Sequence, residues 1–163
     1  MREHSVARHG IVAGVLSATS VAAWFLLTDT LSGRPFFVPA GLGRNFLQLL
    51  RAEPSPGVIL PVVVYTIFHY AVFIVVGIIA AAVANRSRRD ASVLAGAFLF
   101  FVVIEGAFFG FAAFISATTI IGAGAWFQIG IANLIAVVVM GVYLWRAYPH
   151  VPHQLNVALS GRE

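Results

Sequence analysis

Two ionisable side chains stand deep inside long apolar runs: His69 in the run 58–84 and Glu105 in the run 92–115. A carboxylate at the centre of a membrane-spanning helix costs about 2.5–3.5 kcal/mol on insertion scales, so Glu105 is expected to be protonated, paired or turned to a wet cavity. The turn Asn85–Ala91, reading NRSRRDA, joins the two runs. Counted from its middle at about 1.5 Å per residue, His69 lies roughly 28 Å back and Glu105 roughly 25 Å forward. Their depths match, which makes His69 the natural partner for the acid. Such a pair suits a site that binds a cation or a small polar molecule, or passes a proton. It would serve equally as a polar lock holding two helices in register.

Further polar groups lie near this depth. Tyr65, Thr66 and His69 stand at i, i+1 and i+4, which puts them on one face of a helix. Asn133, in the last apolar run, lies at a depth similar to Glu105. Tyr65 and Asn133 therefore join His69 and Glu105 as candidate ligand- or proton-binding residues.

Other chemistries find little support. The chain has no cysteine, which excludes disulfides, thiolate-held iron–sulfur clusters and covalent c-type haem. A bis-histidine haem within one chain needs a second intramembrane histidine, and a di-metal carboxylate centre needs Glu-x-x-His pairs that Glu105 does not begin. His150 and His153, with His4 and His9, gather on the predicted cytoplasmic side, but Pro149 and Pro152 break their order and solvated histidines are expected. No nucleophile elbow, HExxH or phosphate-binding glycine loop is present. Neither a catalytic residue, a metal site nor a cofactor is expected.

The elements that must position these groups follow from composition. The 163 residues are 60% hydrophobic and 10% charged, with a mean hydropathy of +0.94, the signature of a single membrane domain. All ten basic residues are arginine. Arg2, Arg8, Arg86, Arg88, Arg89, Arg146 and Arg162 cluster at what would be the cytoplasmic ends, with Arg34, Arg44 and Arg51 outside. This pattern reads as topology rather than nucleic-acid binding. The runs predict four spans, about 10–28, 58–84, 92–115 and 125–145, in an all-α bundle with both termini cytoplasmic, as in a bacterial inner membrane. The first run is expected to be a retained signal-anchor.

Along that first span Gly10, Ala13, Gly14, Ser17, Ser20, Trp24 and Thr28 share a face suited to close helix contact. Gly106 and Gly110 repeat the small-xxx-small pattern in the third. The loop 30–57 is the only long connection, and Leu42, Phe46, Leu49 and Leu50 recur in it at helical spacing, predicting a short amphipathic helix along the outer interface. Asp29 and Arg34 are expected to pair where the chain leaves the membrane. Trp126 and the group Tyr143, Trp145 and Tyr148 read as interfacial aromatic belts. The tail 149–163 is expected to be polar and cytoplasmic.

The phrases WFLLTDTLSGRPFFVPAGLG, YTIFHYAVF and GVYLWRAYPH resemble those of a recurring type of small four-span bacterial membrane protein. The resemblance implies the topology and no activity. Two functional classes therefore stand. One is a non-enzymatic accessory or structural subunit of a larger membrane complex, the reading favoured by small size and small-residue faces. The alternative is a stand-alone bundle binding an ion, a proton or a lipid-soluble ligand at His69 and Glu105. The partners implied are the lipid bilayer, other membrane subunits or a second copy, and not nucleic acid.

Overall fold

The computed structural model describes residues 3–51, 57–87, 92–93, 125–149, 151, 153 and 156. These form four helices and no strand: α1 (Glu3–Leu31), α2 (Phe37–Leu49), α3 (Ile59–Arg86) and α4 (Ala125–Ala147). Three are long and apolar enough to cross a membrane, over Ser5–Leu31, Ile59–Arg86 and Phe127–Ala147, with mean hydropathies of 1.9, 2.5 and 2.1. Each is apolar nearly all round, as suits a helix with lipid on one side and protein on the other. The predicted third span beyond Val93, with Glu105, Gly106 and Gly110, lies outside the described residues, as do Arg88, Arg89 and His150.

α1 is the central element. It packs along α3 on one side and α4 on the other, whereas α3 and α4 touch little. The small stripe predicted for α1 supplies both faces: Gly10, Ala13, Gly14 and Ser17 are buried. At the α3 contact two glycines face each other. A Cβ added to Gly77 would stand 2.7 Å from the Gly14 nitrogen, and one added to Gly14 would stand 2.7 Å from Ile74 Cα. Only hydrogen fits at either position, so the backbones approach closely enough for dispersion to hold the helices without a hydrophobic driving force. On the α4 side the Ser17 hydroxyl donates to the Ala136 carbonyl at 3.2 Å.

At the end of the bundle that carries the N-terminus, His9 Nδ1 and the Tyr143 hydroxyl share a hydrogen bond at 3.1 Å, and the His9 ring meets Tyr148 edge-on at 5.5 Å. Tyr148 is fully buried against Ala13, Ala81, Ala84 and Leu144. It therefore does not belong to the aromatic belt predicted for it. The chain continues in helical geometry beyond Arg146, with the Tyr148 amide donating to the Leu144 carbonyl at 2.8 Å, and this carries the ring back under α1. Trp145 is exposed, as a belt residue would be.

The loop helix begins earlier than its apolar spacing predicts. α2 starts directly after Phe36, and Pro39 sits in its first turn, where no amide is required. Its inward face is Ala40 and Gly43, because Gly43 lies against the backbone of Pro61 in α3 with no room for a side chain. Phe46 stacks on Phe68 at 4.6 Å. Leu42, Leu49 and Leu50, predicted as the apolar face, stay exposed.

Candidate functional site

His69 lies on the buried stripe of α3, one face with Pro61 and Gly77. That stripe turns it onto α1. Its Nε2–H donates to the Ala18 carbonyl at 3.1 Å, since a carbonyl can only accept. The imidazole is 9% exposed and surrounded by rings on its own helix: Tyr65 at 5.5 Å, Phe73 at 4.7 Å and Tyr70 at 5.9 Å between centroids.

One edge of this cluster opens into a cleft of about 320 Å³ between α1, α3 and the start of α2. Its α1 wall includes Thr19, Ala22 and Leu26, its α3 wall Val62, Tyr65, Thr66, His69 and Tyr70, and its roof Phe36, Val38 and Pro39. The lining is almost wholly apolar, and no Asp, Glu or Arg side chain belongs to it among the described residues. The volume falls within the range of small-molecule sites, which are mostly apolar with a few placed polar groups.

The Thr19 edge of the cleft is turned from α4, while Val21 in the lining also packs on Ala132 and Ala136 of α4. Thr19 is two residues on from Ser17, roughly 200° round the helix, and Ser17 is the residue that bonds α4. Three polar side chains at the cleft are satisfied locally. The Thr19 and Tyr70 hydroxyls bond each other at 2.9 Å, and the Thr66 hydroxyl donates to the Val62 carbonyl at 2.7 Å. Tyr65 has no such partner among the described residues, and it lines the same wall as His69.

The roof is held by a cap that spans the loop. Phe36 occupies the N-cap position of α2 with φ 64°, and no side chain of its own closes the helix. The Asp29 carboxylate does so instead, accepting the Val38 amide at 2.8 Å. Arg34 reaches Asp29 through the main chain, its amide donating to the Asp29 carbonyl at 2.9 Å. The Arg34 guanidinium lies over the Phe37 ring, 4.5 Å from its centroid. The pair expected from the sequence thus meets by backbone, and the carboxylate serves the helix.

Of the four candidate binding residues, His69 and Tyr65 come together in the cleft wall. Asn133 is on α4, next to Ala132, which packs on Val21, and is not part of the lining. Glu105 lies outside the described residues. The sequence reading missed Thr19, Tyr70 and Ala18. Thr19 and Tyr70 are the polar residues that their apolar runs would have offered to a search by depth. No side-chain pattern points to the Ala18 carbonyl.

The described residues thus define an all-helical membrane-type fold, with three helices among them fit to cross a membrane. Comparison with protein-family models, with curated proteins and with solved structures finds no match to this chain.

Proposed function

We propose that this protein is a non-enzymatic integral membrane protein that holds a lipid-soluble molecule in the cleft between α1 and α3. The observation that carries this reading is a buried imidazole in the wall of an apolar cleft that has a built roof. Backbone strain at the roof adds to it: Phe36 is held in the left-handed region that bulky residues avoid, and its ring lines the cleft. In the four-span arrangement with both termini on the cytoplasmic side of a bacterial inner membrane, α2 lies at the outer interface. The cleft then opens at the level of the outer leaflet.

The test is extraction of the full chain at native abundance into a mild detergent, followed by mass spectrometry of bound small molecules and of co-purifying chains. Ala22 is exposed and lines the cleft, so Ala22→Phe fills the space while leaving His69 and Ala18 unsubstituted. The expected result is one class of lipid-soluble molecule near equimolar with the protein and absent from Ala22→Phe. Identical small-molecule content in both, with unrelated membrane chains travelling alongside, would replace this reading with that of an accessory subunit.

A further inference from the structure

The hydrogen bond between His69 and Ala18 restricts the kind of molecule the cleft can take. Nε2 donates to a carbonyl, so the proton of the uncharged ring is on Nε2 and Nδ1 carries a lone pair. Nδ1 is then an acceptor that no donor among the described residues occupies. The neighbouring Tyr65, one turn earlier on the same wall, has a hydroxyl with no partner among them, and a phenol both donates and accepts. The remaining hydroxyls of the wall are engaged, Tyr70 with Thr19 and Thr66 with its own helix. The cleft therefore offers one acceptor and one ambivalent hydroxyl in an otherwise apolar setting. An acceptor that a bound molecule covers and leaves unmatched is costly, which favours a ligand that brings a donor.

From this we infer that the cleft selects a membrane-soluble alcohol or phenol, whose O–H donates to His69 Nδ1 while the same oxygen accepts from the Tyr65 hydroxyl. An alcohol oxygen fills both roles. A ketone, quinone, ester or ether oxygen can only accept, and so leaves Nδ1 unmatched. The volume of about 320 Å³ holds roughly ten water-sized groups at about 30 Å³ each, enough for a head and the first part of a hydrocarbon chain, with the remainder left among lipid tails. The inference rests on the proposed role of the cleft as a ligand site and adds the chemical class of the ligand.

The experiment uses the full chain in detergent, stripped of endogenous lipid, and measures binding of farnesol and of farnesyl methyl ether by native mass spectrometry. The two probes share a tail and differ by the donor. Farnesol is expected to bind at least about tenfold more tightly, the equivalent of about one hydrogen bond, and Tyr65→Phe should narrow that ratio while leaving the protein folded. His69→Phe should abolish it. Equal binding of the two probes, with both excluded by Ala22→Phe, would overturn the alcohol class and leave the cleft as a ligand site. Tighter binding of farnesyl phosphate than of farnesol would also overturn it, by placing a proton on Nδ1. Binding of neither probe, or binding indifferent to Ala22→Phe, would overturn the ligand site itself.

Discussion

The carboxylate of Asp29 accepts the amide of Val38 at 2.8 Å across nine residues of chain, so the last turn of α1 caps the first turn of the short helix α2. Phe36 at the N-cap has no acceptor to offer, and Asp29 is buried while it does the work of one. The tie fixes the direction in which α2 leaves α1, and with it the roof of the cleft.

Removing this cap should loosen α2 before anything else. Asp29→Ala is expected to cost about 1–2 kcal/mol, the upper part of the range for lost helix caps, with Asp29→Asn costing less because its amide oxygen still accepts. Thermal unfolding in detergent gives the size, and hydrogen exchange at the Val38 amide gives the place. Unchanged exchange at Val38 in Asp29→Ala would refute the capping role.

The contact between α1 and α3 should tolerate no side chain. Gly14→Leu drives carbon into the backbone of Phe73 and Ile74, and overpacking of this kind should cost about 3 kcal/mol or more. Gly141→Ala is the control, since nothing among the described residues lies within 4 Å of its new carbon and alanine is the better helix former. It should be neutral or slightly stabilising. Comparable losses in both variants would mean that the close approach is not what holds the helices.

Phe36 separates stability from binding. Glycine adopts φ 64° without the cost of about 1–2 kcal/mol that a left-handed conformation imposes on other residues. Phe36→Gly should therefore keep or raise the melting temperature, less what the freer unfolded chain takes back, yet it removes a ring from the cleft and should lower retention of the bound molecule. A variant that melts earlier and binds as well as the parent would contradict both halves of the argument.

His69 and Glu105 invite a double-mutant cycle. With Nε2 engaged by Ala18, an acid could meet this ring only at Nδ1, the atom assigned above to a ligand. The expected result for His69→Phe and Glu105→Gln is additivity within about 0.5 kcal/mol in unfolding free energy. A coupling of 1 kcal/mol or more, in the sense that the double variant loses less than the sum, would establish the pairing expected from matched depths and close Nδ1 to any ligand.

The sequence by itself determined what depends on composition and on spacing along one helix. Apolar runs longer than a bilayer is thick, with arginines at their ends, identify helices that can cross a membrane. The small stripe on α1 follows from spacing too, since residues three and four apart share a face whatever the neighbour. A helix in the loop 30–57 was legible from the spacing of Leu42, Phe46, Leu49 and Leu50. Which of its faces turned inward was not, because that depended on Gly43 meeting Pro61, a contact between separate elements.

The tertiary structure decided the partners. Depth counting could place His69 inside the membrane, but depth is one coordinate and says nothing of rotation. The packing of Gly14 on Gly77 sets the rotation of α3 against α1, and that rotation delivers His69 to the Ala18 carbonyl. A backbone carbonyl is the same in every residue type, so no sequence pattern marks it as a partner. Asp29 and Arg34 teach the same point: opposite charges five residues apart suggest an ion pair, yet an uncapped helix start nearby offered the carboxylate a fixed amide donor. Charge and spacing named the residues, and the fold chose what each of them touches.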